Sequence, residues 1–389
     1  MDQDRTLGDR IREIRKRRGL SQRELSELSG ISVSLVRKLE QAERQDARLE
    51  TLRKIATALR VQTSALMTSP DTENADRQTV DLWEPVRRAL FGPVPQPEET
   101  PTVEGVEAAL SAVKPAVAAN RYAEVSIILP RLLRDTEVLN SQARHVRSRA
   151  LNLTGWLLVQ TRQWEAAAST LQLAMDAAAD RLDAAAAADT LCWSLLRQGQ
   201  LSSARTLATQ WADDIEPRFS RATQAELSAW GRLALRVTNA AIRDARPGEA
   251  EDAARLAKAA AGRIGREVAA DESTTRTFGP ATVAMIRAEN AAITGQPDKA
   301  LRIARAIPPG ILHPESASRR RHQLDIAHSH AMLRQDPAAV AILQQLRSGA
   351  PEWLVQQRYA RDILGSVIKR RRTLTPDIRE LADFLRIAL

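Results

Sequence analysis

The sequence predicts an all-α protein: a small N-terminal helical bundle followed by an α-solenoid of stacked helical hairpins. Three observations predict it. Leucine, isoleucine and valine recur at helical spacing from Leu7 to Met67. From Thr102 to the C-terminus no segment alternates as a strand does, aromatics are only 3% of the chain, and Ala/Leu/Arg-rich helical periodicity dominates. Through that second part small residues return at fixed offsets, which is the mark of an internal repeat.

In order, Leu7, Ile11 and Ile14 define a first amphipathic helix. Ser21, with Glu24 three residues on, predicts a capping box that opens a second. Leu25 and Leu28 face inward there, and Ser26 is small where another helix passes closely. Gly30 breaks the pattern with a residue that tolerates positive φ, Ile31 fills the turn, and Ser32 caps the third helix. In that helix Val36 and Leu39 point inward, while Val33, Ser34, Arg37, Lys38 and Gln41 fall on the opposite stripe. Leu49, Leu52, Ile55, Ala56 and Leu59 give a following helix. Two helices joined by a glycine turn, the second short with a polar, basic outer stripe, describe a helix-turn-helix suited to a DNA major groove.

Through GLSQRELSELSGIS, LVRKLE and LETLRKIATAL, this stretch resembles the Cro/repressor-type (XRE) DNA-binding domains over its whole length, which implies a five-helix domain. The resemblance implies that Gln22, first in the second helix, sits on a phosphate at the positive helix end. It implies that Val33, Ser34 and Lys38 read bases, flanked by Ser32 and Arg37. Arg23 and Gln41 complete the candidate DNA-binding set. Arg15 and Glu40 match a buried ion pair that ties the first helix to the third. The family usually has glycine two residues after that glutamate; here it is Ala42, so the turn after the recognition helix departs from the pattern.

A chain of 389 residues is too long for one such domain, and its 43% hydrophobic content supports a sizeable core. No apolar run approaches a membrane span, and the opening MDQDRTLGDR has no apolar core and reads as no secretion signal. The single cysteine, Cys192, excludes an internal disulfide framework, fits a reducing cytoplasm, and reads as a buried helix residue. The net charge of +9 suits a nucleic-acid partner. Arg-over-Lys usage and abundant Ala would follow equally from a GC-rich coding sequence, so the motif outweighs the charge. The expected domains are 1–69 for DNA binding, 70–101 as a linker, and 102–389 as the repeat domain. Within the linker a brief helix runs over Val80–Phe91, interrupted by Pro85, with Trp83 and Leu90 docking it onto the second domain. Pro93, Pro95, Pro97 and Pro101 then form a semi-rigid spacer.

The repeat reads best from Gly155, Ala167, Leu171 and Ala174, which fit the tetratricopeptide pattern of small residues at positions 8, 20 and 27 and a large apolar one at 24. Cys192, Ala204 and Ala208 repeat the spacing, with Trp211 at the last position. So do Ala288, Ala300 and Ala304; Ala327, Ala339, Leu343 and Leu346; and a degenerate first set, Val113, Val125, Leu129 and Leu132. Ala250, Ala254 and Ala257 mark the second helix of one more hairpin, whose first helix is long (Thr223 to Asp244). The spacing is mechanical: small residues let helices approach, and the large one fills the gap. Pro376–Leu389 reads as a last helix covering the open end, and the run Lys369–Arg372 as a solvated face.

Such an array lines a concave groove with the first helix of each hairpin. The register places Arg149, Asn152, Trp156 and Gln160 there, then Asp189, Trp193 and Arg197, Asn239 and Arg243, Glu289, and Leu324 with His328. Amides for backbone groups, arginines for a carboxylate and indoles for apolar side chains fit an extended peptide. The candidate ligand-binding set is Arg149, Asn152, Trp156, Asp189, Trp193, Arg197, Asn239 and Arg243. Two other readings stand beside it: the tryptophans fill the seam between repeats, and Arg149, Asp189 and Arg197 pair with one another. No catalytic constellation, phosphate loop or zinc-ligand spacing emerges; His328 and His330 fall on different helix faces. No enzyme activity, cofactor or metal is expected.

The order of helix-turn-helix, linker and repeat domain resembles the peptide-responsive RRNPP regulators and the one-component XRE regulators of high-GC bacteria, the latter through LWEPVRRAL, LTGWLL and RLDAAAAADTLCWSLLRQG. The resemblance implies a cytoplasmic, homodimeric transcription regulator acting on double-stranded operator DNA. The expected effector is a short peptide. The alternatives are a small diffusible signal molecule, or a protein-interaction scaffold with no effector.

Overall fold

The computed structural model describes residues 7–41, 49–61, 66, 81–93, 101–139, 143–269, 276–311 and 316–387. The turn at Ala42 and most of the proline-rich linker lie outside them. So does the fifth N-terminal helix, apart from the buried Leu66. The described chain is helical but for one two-residue strand pair, and none of its helices is long and apolar enough to cross a membrane. It divides into two compact units. One gathers Met1–Val80, Asp336–Gln345 and Gln357–Leu389; the other holds Asp81–Gln335 and Leu346–Gln356.

The first unit opens with α1 (Leu7–Arg17), α2 (Gln22–Ser29), α3 (Val33–Glu40) and α4 (Leu49–Leu59). Ser21 caps α2 through the expected box: its Oγ accepts from Glu24 N at 3.1 Å, and Glu24 Oε2 accepts from Ser21 N at 2.7 Å. Gly30, at φ +67, ends α2 in the left-handed region, and Ser32 Oγ caps α3 by accepting from Leu35 N. Ile11, Leu25, Val36, Leu39, Ile55 and Leu59 are all fully buried around one core. Leu28 departs from the expectation. It is 62% exposed, because Ser29 turns onto the inner face of α2 instead and bonds Leu25 O through its hydroxyl.

The same unit takes in the first part of α17 (Asp336–Gly349), α19 (Arg358–Lys369) and α20 (Pro376–Phe384). Arg370 and Arg371 hold Asp336, at 2.6 and 3.4 Å. The final helix, expected to cover the open end of the repeats, meets the N-terminal helices here: Arg18 Nη2 stands 2.5 Å from Asp383 Oδ1.

The second unit runs through α5 (Glu84–Phe91), α6 (Val103–Ala118), α7 (Tyr122–Leu139), α8 (Arg144–Gln160), α9 (Trp164–Asp176), α10 (Arg181–Arg197), α11 (Leu201–Asp214), α12 (Gln224–Arg243), α13 (Pro247–Ile264), α14 (Pro280–Ile293), α15 (Pro297–Arg305), α16 (Ala317–Met332) and α18 (Pro351–Val355). Pro85 stands in the first turn of α5, where its missing N–H costs nothing, so it starts that helix and does not interrupt it. Trp83, just before it, is buried edge-on against Tyr122.

Successive helices pack as hairpins, and alternate helices touch as well: α6 with α8, α8 with α10, α10 with α12, α12 with α14, and α14 with α16. The repeat spacing is legible in the contacts. Ala167, Leu171, Ala174, Cys192, Ala204 and Ala208 are fully buried, and a β-carbon on Gly155 would lie 2.6 Å from Leu171 Cγ. Burial pushes the Cys192 thiol pKa up, which keeps it a packing residue. The alternating wall closes on itself, with Arg320 of α16 donating to Ala118 O at 3.0 Å and Ala123 N donating to Glu352 Oε2 at 3.2 Å.

Between α13 and α14, where no segment alternates as a strand does, β1 (Val268–Ala269) pairs antiparallel with β2 (Thr277–Phe278). The pairing drives Phe278 against Gly231, where a β-carbon would come within 2.1 Å of its ring.

Candidate nucleic-acid interface and effector groove

The DNA-facing candidates lie where the helical stripe puts them. Arg23, Ser32, Ser34, Arg37, Lys38 and Gln41 are exposed, and Gln22 and Val33 are half-buried. Behind them Arg15 and Glu40 form a buried two-point pair, Nε to Oε1 at 2.5 Å and Nη2 to Oε2 at 2.8 Å. Arg15 Nη1 also donates to Leu20 O at 2.7 Å, so one guanidinium braces α1, the following turn and α3. The Gln22 amide has a role that the sequence did not reveal: it donates to Glu40 Oε2 at 2.9 Å. It thereby ties the start of α2 to the end of α3.

The eight groove candidates fall on α8, α10 and α12, which are neighbours in the alternating wall. Arg149, Asn152 and Asp189 share a cavity of about 240 Å³ with His145, Ser148, Asp183 and Arg232. Trp156 is 2% exposed and offers no ring face to it; it packs the seam between helices. Arg197 is stacked, its guanidinium 5.1 Å from the Trp193 ring centre and 5.7 Å from that of Trp164. Burial lowers its pKa to about 10. Arg243 Nη2 pairs with Glu289 Oε1 at 2.6 Å, and Arg321 of α16 approaches the same oxygen at 3.5 Å. Asn239 is 5% exposed, with an Oδ1 that has no hydrogen-bond partner.

Asp189 pairs neither with Arg149 nor with Arg197. It receives Arg236 Nε at 2.6 Å, Arg232 Nη2 at 3.1 Å and Arg276 Nη1 at 2.5 Å. Burial alone would raise this carboxyl's pKa; three guanidiniums outweigh it and hold it below the ordinary carboxylate range. The network continues: Arg276 Nη2 donates to Thr190 Oγ1 at 3.0 Å, and that hydroxyl donates to Asn152 Oδ1 at 2.8 Å. Two of these arginines were within reach of the sequence. Arg232, Arg236, Asn239 and Arg243 form one helical stripe at spacings of four, three and four, so the helical period that marks Asn239 and Arg243 also marks Arg232 and Arg236. Arg276 sits just before a two-residue strand and carries no periodic signal.

At the cavity's edge His145, Asp180 and Asp183 have ligand-type atoms all within 4.8 Å of one another. Arg149 lies against both His145 and Asp183, so a guanidinium already supplies the positive charge there. Asp180 is engaged as the cap of α10, accepting from Leu182 N and Asp183 N. Burial, with Asp180 adding to it, raises the Asp183 pKa against the pull of His145 and Arg149.

Comparison with known proteins agrees with the N-terminal geometry. A helix-turn-helix family model matches residues 11–66. Among solved structures, the chain is similar to the crystal structure of Bacillus thuringiensis PlcR in complex with the peptide PapR7 and DNA, at 14% identity and a TM-score of 0.35, covering 87% of this chain and 99% of that one. No curated protein matches the sequence. Residues 11–66 therefore carry a helix-turn-helix domain, and the described helices of the second unit form a repeat-like array.

Proposed function

We propose that the protein is a sequence-specific DNA-binding transcription regulator whose helical repeat region binds an effector and forms a homodimer. The observation that carries the DNA reading is the split of α3 into two faces. Val36, Leu39 and Glu40 are buried, while Ser34, Arg37 and Lys38 on the same turns are exposed. That is the requirement for a helix that inserts into a groove: one side locked to its domain, the other polar and uncovered. One such helix spans few base pairs, so genome-scale specificity needs two half-sites about 10 base pairs apart, read by a two-fold dimer.

The effector reading rests on the interior wall. A cavity of about 240 Å³ sets the polar groups of Arg149, Asn152, Asp189 and Arg232 among walls of alanine and leucine. It is smaller than the roughly 300–1,000 Å³ of common ligand sites. It fits one small polar signal molecule, or the end residue of a short peptide whose remainder runs along the wall past Trp193, Arg197, Asn239 and Arg243. A peptide remains the favoured ligand because those positions continue the same wall.

An operator selected from random duplexes by the wild-type protein tests the first half. Ser34→Ala and Lys38→Ala should each lose about 1–3 kcal/mol of specific binding; unchanged affinity in both would reject the reading face. A thermal-shift screen with short peptides and small signal molecules tests the second half, since a ligand of the native state raises the melting temperature. Arg197→Ala should abolish the response while sparing basal DNA binding. A screen without any hit favours a scaffold with no effector.

A further inference from the structure

We propose that the corner between α19 and α20 is a second DNA-backbone contact, in which Lys369 and Arg372 meet phosphates beside those held by α2. This inference rests on the reading of the helix-turn-helix as DNA-binding. In sequence the run Lys369–Arg372 looks like a solvated face. Its place in the first unit gives it a different role.

Arg18, at the end of α1, is buried. Its Nη2 and Nη1 stand 2.5 and 2.9 Å from the two carboxylate oxygens of Asp383, and Nη2 also donates to Arg60 O at 3.1 Å. Arg379 returns the contact by donating from Nη1 to Arg18 O. The next residue, Gly19, has φ +71, and a β-carbon on it would stand 2.8 Å from Arg379 Nη1 and 3.7 Å from Thr373 Cγ2. Thr373, directly after the basic run, therefore stands beside the turn that leads into α2.

From Gly19 to Gln22 is three residues, which span at most about 10 Å. That is the screening length at about 0.1 M salt. The α2 N-terminus thus lies within about one screening length of Gly19, beside which the α19–α20 corner stands. Arg370 and Arg371 are held by Asp336, which fixes the backbone of the run. Lys369 and Arg372 are exposed, and among the described residues neither pairs with a carboxylate. Asp377 and Glu380 are the exposed acids of the adjoining helix. From 369 to 387 there are six cations against three acids, and one of those acids, Asp383, is spent on Arg18. Phosphate contacts of this kind add affinity without sequence preference.

The test uses the full-length protein and a fluorescein-labelled random-sequence duplex, read by anisotropy across a KCl series. Each neutralised phosphate contributes about 0.9 to the slope of log affinity against log salt. Lys369→Ala with Arg372→Ala should lower the slope by about 1–2, and Lys369→Arg with Arg372→Lys should restore it. Asp383→Ala separates docking from mere charge. It removes an acid, so charge alone predicts tighter binding, whereas a released corner binds more weakly. A wild-type slope in the double alanine variant, or tighter binding by Asp383→Ala, overturns the proposal. Loss of slope in Arg37→Ala with Lys38→Ala, alongside an unaffected corner variant, would reject the corner alone. Failure of the wild-type protein to bind any duplex would reject the DNA reading and the corner together.

Discussion

Arg236 Nε stands 2.6 Å from Asp189 Oδ1, joining α12 to α10 through a carboxylate that also holds Arg232 and Arg276. The arrangement is a buried charge cluster with one acid at its centre, so the acid decides the state of all three bases. Asp189→Asn keeps the shape and removes the charge, which strands three guanidiniums inside the wall. The expected loss is about 3–5 kcal/mol of stability, read as a lower denaturation midpoint at unchanged slope. Because the folded pKa lies below the ordinary carboxylate value, this stabilisation is full above about pH 4 and fades only in stronger acid.

Glu40→Gln tests the N-terminal unit in the same way. It leaves Arg15 buried without its countercharge and weakens the acceptor of the Gln22 amide. A cost of about 3–5 kcal/mol is expected. The exposed pair Arg23–Glu27, at 3.2 Å, should be worth less than about 1 kcal/mol by the same measurement. Equal costs for the two pairs would show that burial does not set the energetics.

His322 supplies a pH dependence. Burial lowers its pKa to about 4, against a smaller opposing pull from Glu289 on α14; Arg321 beside it and Arg243 on α12 share that glutamate. The unfolded chain binds this proton near pH 6.5. Stability contributed by neutral His322 is therefore complete above about pH 6.5 and is lost as pH falls towards 4, by at most about 3 kcal/mol. His322→Gln should flatten the melting temperature over that window. An unchanged acid limb would place the transition on another group.

One substitution at two glycines should act with opposite signs. Gly231→Ala drives a methyl to 2.1 Å from Phe278 Cζ and should cost about 1–3 kcal/mol. Gly248→Ala, in the first turn of α13, meets nothing within 4 Å and should stabilise by about 0.4–1 kcal/mol. Thermal melts of the two variants decide it.

Short-range chemistry makes part of this protein legible from its residues alone. Ser21 with Glu24, Gly30 and Ser32 fix the turn of the helix-turn-helix through bonds that span a few residues, and the inner and outer stripes of α3 follow from helical periodicity alone. The long helix expected over Thr223–Asp244 exists as Gln224–Arg243, with those two residues as its caps, because Thr223 and Glu226 form a local capping box. Ala167, Ala174, Ala204 and Ala208, at repeat offsets, are buried for the same reason, since contacts within a hairpin are near in sequence. Periodicity also placed Arg149, Asn152 and Asp189 in one wall. It could not say which charges meet, because that depends on how neighbouring helices are rotated and spaced.

Only the tertiary structure decided that Asp189 serves Arg232, Arg236 and Arg276, that Trp156 is seam packing, and that a two-residue strand pair carries Phe278 to Gly231. It alone brought Asp383 to Arg18, 365 residues away in the chain. A contact at that separation leaves no period, cap or motif behind. It exists only once both segments have folded and the cost of burying a charge forces each to find its partner.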